Sequence, residues 1–498
     1  MKKLLLTIVA VTTLLSARGQ KEGLTLIGEE SKKVEADMMM NALYLGSLEG
    51  LDMWLTKSDE GVKGLANKRD WHVVKLTEGL FPMERVDLPE TPRCQVLGAV
   101  GAESDASGIH AASILLVDSS AKGQTIILSA RVAADTLRLV GGGMDTVDKY
   151  SYGRKDLCKV WSAVSPNGKF IGVLTIVQYT ERKDYIAVSK VFDENLNVVW
   201  AKDYAVGVVD AIYVDDEGTM YTMGMEQTSN GERFLTNLLD RYGANSYRTD
   251  MQCDPIQDFQ IVNVIGSKVL CSGLVKMTTA DPDKDVASGV MTMVFDVDST
   301  NITSFKIRFF QNEDKNILLN KNTKKVQREH DMPMVAPLGC IRMPYGAVVA
   351  VGHRHRLRYV NSNGTVTNSY YGQGIHMIAF DTLGAVKWVR NLRRNDMTEF
   401  DDDMLDLAMF SVGDNAYVMK NEDTDEPKEY NITEEAEEYE VGEKSNLVLY
   451  EISSEGDVTK TILEKGTKHA LASFGRRADG SWVLLSFRGN KCRMAVMK

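Results

Sequence analysis

The chain has 498 residues and a formal net charge of −11, with 58 Lys or Arg against 69 Asp or Glu. That acidic balance excludes the basic face a nucleic-acid partner requires. Such a length would ordinarily imply about three domains, a prior that repeat folds and large β folds break.

Met1-Lys2-Lys3 is a basic start, and Leu4 to Leu15 is apolar apart from threonines. Ala17 and Gly19 then place small residues at the −3 and −1 positions before Gln20. This is the layout of a secretory signal peptide. Residues 1–19 are therefore expected to be removed, leaving 20–498 as one exported domain, periplasmic, extracellular or associated with an outer membrane. Loss of Lys2, Lys3 and Arg18 takes the charge from −11 to −14. No later apolar run reaches the roughly 18 residues of a membrane-spanning helix, so no transmembrane segment is expected in the mature chain.

The six cysteines (Cys94, Cys158, Cys253, Cys271, Cys340, Cys492) have no metal-ligand spacing and are too sparse for a disulfide framework. Cys253 and Cys271 are close enough to pair within one repeat unit. Buried free thiols are the simpler expectation.

Along the chain, turn dipeptides flanked by apolar, β-branched runs recur, the strongest short-range signal for a hairpin. They lie at Pro166-Asn-Gly168, Asp215-Asp-Glu-Gly218, Gly266-Ser267, Pro344-Tyr-Gly346, Gly413-Asp-Asn415 and Asp479-Gly480. In three of them a glycine (Gly224, Gly273, Gly352) is expected to close the second strand. After the hairpins comes a second unit. Phe380-Asp381-Thr-Leu-Gly384-Ala-Val386-Lys-Trp388 and Phe192-Asp193-Glu-Asn-Leu-Asn-Val198-Val-Trp200 share Phe-Asp, a turn, Val five residues after the Asp and Trp seven after it. Asp240-Arg-Tyr-Gly243 with Tyr247, and Asp298-Ser-Thr-Asn301 with Phe305, keep the Asp, a Gly or Asn three later and the aromatic seven later. Weaker echoes start at Asn361 and Ser453. Each reads as strand, tight turn, strand, with Gly or Asn at the left-handed position.

Hairpin plus Asp-turn unit makes four antiparallel strands in roughly 50 to 60 residues, the blade of a β-propeller. The expected fold is all-β, with seven or eight four-stranded blades and eight by parsing: 34–90, 91–150, 158–205, 208–250, 257–311, 332–397, 403–464 and 468–498. The two N-terminal units fit least well. The last unit supplies three strands, and Gly23 to Gly28 can add the fourth and close the ring, removing an open edge.

The Phe-Asp-x-x-Gly-x-Val-x-Trp unit resembles the repeat of quinoprotein-type (PQQ-like) propellers. Val164-Ser-Pro-Asn-Gly-Lys169 and Asp70-Trp-His-Val-Val-Lys-Leu-Thr77 resemble the WD40-like repeats of exported bacterial propellers. The resemblance implies a propeller with its repeated Trp between blades. Quinoprotein dehydrogenases also imply a cofactor pocket with adjacent cysteines or a calcium-binding carboxylate set. This chain has no adjacent cysteines, so no cofactor is expected.

Two insertions interrupt the blades. Residues 312–331 carry Lys315, Lys321, Lys324, Lys325 and Arg328, and residues 422–443 hold eleven Asp or Glu against one Lys. Repeat folds carry such insertions on one face, often the working face. His353-Arg354-His355-Arg356-Leu357-Arg358 is the most unusual local run. In a strand, Arg354, Arg356 and Arg358 share one face and suit an anionic ligand, while His353 and His355 share the other. An exposed edge strand, with its charges preventing pairing, is the plainer alternative. No metal site is expected, since no third ligand for the histidines is identifiable. Asp281-Pro-Asp283-Lys-Asp285 alternates carboxylates as a calcium loop does but lacks the loop's Gly and final Glu. Asp396, Glu399, Asp401, Asp402, Asp403 and Asp406 form an acidic cluster in which a pair for glycoside hydrolysis can lie.

No nucleophile, zinc-protease or phosphate-loop motif occurs. The expected function is a non-catalytic exported platform that binds a protein or glycan partner through Arg354, Arg356 and Arg358. A carbohydrate-active enzyme with channel carboxylates and a structural subunit of an envelope complex are the alternatives.

Overall fold

The computed structural model describes residues 24–497 apart from 28–41, 49–50, 58–69, 78–79, 90, 92, 106–107, 182–183, 204–207, 230, 278–285, 312, 315–317, 319–333, 361–365, 399–406, 426–438, 441–442, 478–479 and 489–490. Almost all of what is described is strand, in eight four-stranded antiparallel units with consecutive strands adjacent.

Blade 1 comprises Leu43–Leu48, Leu51–Lys57, Trp71–Thr77 and Leu80–Leu88, and blade 2 Gln95–Asp105, Gly108–Asp118, Gln124–Ala133 and Asp145–Ser151. Blade 3 is built from Leu157–Val164, Phe170–Tyr179, Asp184–Asp193 and Val198–Asp203. Ala211–Val214, Met220–Thr228, Gly231–Leu239 and Ala244–Met251 form blade 4. Blade 5 is Ile256–Ile265, Lys268–Met277, Val286–Asp296 and Asn301–Phe309; blade 6 is Met334–Met343, Gly346–Val360, Val366–Asp381 and Val386–Thr398. Blade 7 has Ala408–Val412, Asn415–Asp423, Ser445–Ile452 and Val458–Thr467. Blade 8 has Ala470–Arg476, Trp482–Arg488 and Lys491–Met497, and its outer strand is Leu24–Ile27 from the other end of the chain.

The first strand of each blade touches the first strands of its two neighbours, and the last of these contacts joins blade 8 to blade 1. The eight first strands therefore surround a central axis, and the molecule is an eight-bladed β-propeller. Blades 1 and 2 are separate units, joined across their sheets only by the Leu48–Gly108 bridge. They parsed least well because neither has the Asp-x-x-Gly turn. Blade 1 turns through Thr77–Leu80, and blade 2 inserts Arg138–Leu139 and a 3-10 turn before its outer strand.

Eight apolar clusters hold the ring, and each spans one junction between successive blades. At the 3/4 junction Leu174, Val191 and Trp200 pack on Val214, Met220 and Leu239. Trp388 of blade 6 lies with Val418, Tyr450 and Ile452 of blade 7, and Tyr247 of blade 4 stacks on Phe295 of blade 5. The repeated aromatics do sit between blades.

The Asp turns explain themselves chemically. Asp381 Oδ1 accepts the backbone N–H groups of Leu383 and Ala385, both at 2.9 Å, and Gly384 sits at φ +71°. Asp193 does the same for Asn195 and Asn197, but the left-handed residue is Leu196, whose side chain packs at the 2/3 junction. Two expectations shift here. In blade 5 the strand ends at Asp296, and Thr300, not Asn301, takes positive φ; Gly243 does not adopt it at all.

Three of these turns are clasped by the preceding blade. Lys202 Nζ donates to Gly243 O at 2.7 Å, and Arg390 Nε to Gly456 O at 2.5 Å. Arg131 reaches the Asn195 side chain at 2.7 Å. Trp200 Nε1 adds a bond to the Gly218 carbonyl of blade 4 at 2.9 Å. The 8/1 junction carries a buried ion pair, Arg477 to Asp52, with the Tyr44 hydroxyl also donating to Asp52 at 3.1 Å. Leu24–Ile27 pairs antiparallel with Met494–Met497, closing the ring as expected.

Gly224, Gly273 and Gly352 lie inside their strands instead of closing them, and each has neighbours too close for a Cβ: a connecting segment at Gly224, adjacent strands of the same blade at Gly273 and Gly352. A Cβ at Gly224 would stand 1.9 Å from Val208 O. All six cysteines are free; Cys94, Cys271 and Cys492 are buried and the others half-buried.

Gly224→Ala is expected to destabilise the ring by about 3 kcal/mol, whereas Gly243→Ala, with open space around its Cβ position, is expected to stay within about 0.5 kcal/mol of the parent; urea denaturation of the pair measures both. Arg477→Ala leaves Asp52 charged and buried, and the expected loss is about 3–5 kcal/mol, read in the same assay.

Candidate functional site

Four antiparallel strands in sequence put the first-to-second hairpins and third-to-fourth turns on one face of the ring. The second-to-third loops and the links between blades fall on the other. The first face is made mostly of short turns, the 133–145 connection of blade 2 being the exception. The second receives every long connection named above: the strand ends flanking 278–285, 361–365, 399–406 and 426–438 all open there, as do those flanking 319–333. The strand ends that flank the arginine run, the carboxylate loop, the acidic cluster and both insertions therefore share one face, although they are far apart in sequence.

The arginine run is the end of the second strand of blade 6. Its neighbour on the inner side begins at Met334, opposite Arg354. Beyond that point, among the described residues, the strand pairs with the third alone, through His355–Tyr371, Arg356–Tyr370 and Arg358–Asn368. The fourth strand ends at Thr398, opposite Tyr370. Leu357–Val360 and Val366–Ser369 thus project past both neighbours as a two-stranded arm. The run is therefore neither a core strand nor the sheet's outer edge. His353 is buried at the base of the arm and Arg354 is half-buried. The side chains of His355, Arg356 and Arg358 lie outside the described residues, as do Asp281, Asp283, Asp285, Glu399, Asp401, Asp402, Asp403 and Asp406.

Asp396, the described member of the acidic cluster, is not poised for hydrolysis. It is buried in the outer strand of blade 6 with Arg394 Nε 2.5 Å from its Oδ2. Beside it, Tyr439–Glu440 from the acidic insertion adds a short parallel strand, Tyr439 opposite Asp396 and Glu440 opposite Met397.

Blade 7 holds a charged cluster that the sequence reading placed on the surface. Glu422 is buried with Lys420 Nζ at 3.0 Å and Lys460 Nζ at 2.5 Å, and the Tyr450 hydroxyl donates to it. Burial alone would raise its pKa, but the two ammonium groups and the hydrogen bonds hold it below the usual glutamate range. The signal was present in the strand: Ala416, Val418, Lys420 and Glu422 share one period-two face, so the acidic run begins inside the sheet.

Asp314, in the basic insertion, is likewise buried. It lies 3.3 Å from His376 Nδ1 and accepts from Asn391 Nδ2 at 2.9 Å and Gln311 N at 2.8 Å. Burial opposes its ionisation, yet these bonds hold its carboxyl well below the usual range. With Leu318, also buried, it seats the start of the insertion at the 5/6 junction. No local signal marks this role, because its partners come from blade 6.

On the first strands, which line the channel, carboxylates occur at Glu103, Asp105 and Asp258 only, from blades 2 and 5. Among the described residues no three His, Cys, Asp or Glu side chains converge as a metal site, and no helix is long and apolar enough to cross a membrane.

No family model and no curated protein matches the chain. Among solved structures it is similar to the β-propeller domain of the Trilobed protease from Pyrococcus furiosus, at 11% identity over 81% of this chain and 93% of that one, with a TM-score of 0.32. It is also similar to the WD40 domain of SCAP from fission yeast (8% identity, 96% and 98% covered, TM-score 0.35). A third is the polysaccharide lyase Uly1 (9% identity, 95% and 99% covered, TM-score 0.36). At these scores the likenesses carry no argument about function, and the blade topology itself establishes the fold.

A carboxylate held below its ordinary pKa contributes stability that is complete above that ordinary range and fades as pH falls toward the lowered value. Glu422→Gln is therefore expected to cost about 3 kcal/mol at neutral pH, with the gap from the parent narrowing at roughly pH 3.5; denaturant titrations at the two pH values measure it.

Proposed function

We propose that the chain is an exported, non-catalytic propeller that binds a partner, a protein in preference to a glycan, through its long-connection face in a bacterial envelope. The observation that carries this reading is the projecting arm of blade 6. This strand pair bears Arg356 and Arg358, and arginines in that position suit carboxylate or phosphate groups of a partner. Exposed apolar side chains favour a protein partner. Leu157 (56% exposed), Tyr185 (40%) and Ile186 (47%) stand at the starts of the first and third strands of blade 3, on the same face as the arm. The carbohydrate-active alternative has less support, since the channel draws carboxylates from two blades and Asp396 is engaged with Arg394.

The test is capture from envelope extract and a glycan panel by the chain from Gln20 onward, at low and high salt. A protein partner released by salt and lost in Arg356→Glu/Arg358→Glu is the expected outcome. Capture indifferent to both salt and the double reversal would remove the arm from the reading. A glycan shortened on incubation would replace the platform with an enzyme.

A further inference from the structure

The outer rim between blades 5 and 6 carries a groove of about 490 Å³, none of whose lining residues belongs to the arm. Its wall on blade 5 is Lys306, Ile307, Arg308 and Phe309 with Gln311 and Thr292, and its wall on blade 6 is Ile378 and Val386. Both charged residues on this lining are cations, in a chain whose net charge is −11. The carboxylate nearby, Asp314, is engaged by His376, Asn391 and Gln311 and forms a 3.6 Å ion pair with Arg308 Nη2; the Arg308 side chain is still 35% exposed. Phe309 and Val386 are 49% and 42% exposed, so the groove offers apolar surface beside its charge.

Its backbone edge is open as well. The strand Asn301–Phe309 pairs with Val286–Asp296 on its inner side, and among the described residues no strand lies on its outer side. The next blade shows what such an edge accepts: there the acidic Tyr439–Glu440 pairs in parallel with Asp396 and Met397. Lys306 and Arg308 share one face of their strand, about 7 Å apart, with Ile307, packed on the 4/5 apolar cluster, and the exposed Phe309 on the other. A strand laid alongside would therefore set alternate side chains against cations and against apolar groups.

We propose that this groove binds an extended acidic peptide segment of a partner protein by strand addition, with carboxylates on Lys306 and Arg308 and the alternate apolar side chains on Ile307 and Phe309. The site goes beyond the long-connection face and does not use the arm of blade 6.

The probe is a fluorescent peptide of alternating Glu and Val, followed by anisotropy on the full mature chain, with a Lys–Val peptide as control. Saturable, salt-sensitive binding of the Glu–Val peptide is expected, weakened about tenfold by Lys306→Glu and also weakened by Phe309→Ser. Circular dichroism verifies that both variants fold. Arg356→Glu/Arg358→Glu is expected to leave this binding unchanged, which separates the groove from the proposed platform. Absence of binding to the parent chain, equal binding of the Lys–Val peptide, or full binding by both groove variants overturns the proposal. Binding that emerges only when residues 426–438 are replaced by a Gly-Ser linker also overturns it, since the chain's own acidic segment would then be the occupant.

Discussion

The ring depends on the apolar contact made at every junction between blades, and at three junctions a side chain of one blade also reaches the turn of the next. A single four-stranded sheet has two apolar faces and no means of covering either alone. Stacking against a neighbour on each side solves this only if the stack closes, because an open array would leave two terminal faces in water. The apolar clusters supply the attraction at every junction, but attraction without direction does not set a blade's angle or register. The clasps do. Lys202 on Gly243 O and Arg390 on Gly456 O fix where each outer strand meets the following turn. Gly456 has no room for a Cβ, which would stand 2.7 Å from that of Trp388. The 8/1 junction is where two chain ends meet, and there the contact is stronger in kind: a buried ion pair between Arg477 and Asp52, plus a strand contributed from the opposite terminus.

That arrangement divides the molecule's two faces between different tasks. The turns that serve as clasps must stay short and geometrically exact to fit the neighbouring blade, so their face has little freedom to vary. The opposite face bears no clasp and accepts insertions. Blades 5 to 7 use that freedom most, with an arm on blade 6 and long connections on either side of it. Beneath those connections lie buried charges that few β-sheets tolerate: Asp314, Arg394, Asp396, Lys420 and Glu422. Each contacts an opposite charge or a hydrogen-bond partner, so the cost of desolvation is met locally. The effect is to hold the roots of the long connections firmly in the ring. A firm base under variable loops is how repeat folds present a binding surface.

Much of this was legible in the chain before any coordinates. The six hairpins, the Asp-turn units, the blade count and the closing strand follow from local chemistry: glycine or asparagine where a turn demands it, an Asp side chain satisfying backbone N–H groups, and period-two apolar runs between. The departures are equally local in cause. Leu196 and Thr300 hold left-handed positions that glycine would ordinarily take, Leu196 because its packing at the 2/3 junction offsets the backbone cost. Gly224 was visible as a repeated glycine, but its reason, the Val208 carbonyl pressing on it, comes from outside its hairpin.

The candidate sites divide along the same line. Sequence alone determined that arginines alternate at 354, 356 and 358 and that an acidic run starts near 422, because strand periodicity and composition are properties of neighbouring residues. Only the tertiary structure decided that the arginine strand outruns its partners to form an arm, since that depends on where Met334 and Thr398 lie. It alone turned Glu422 and Asp314 from surface charges into buried ones, because their partners Lys460, His376 and Asn391 arrive from other strands or another blade. It alone placed Lys306 and Phe309 across a groove from Val386. Pattern along a chain specifies which face of a strand a residue takes; what stands opposite that face is set by the closure of the ring.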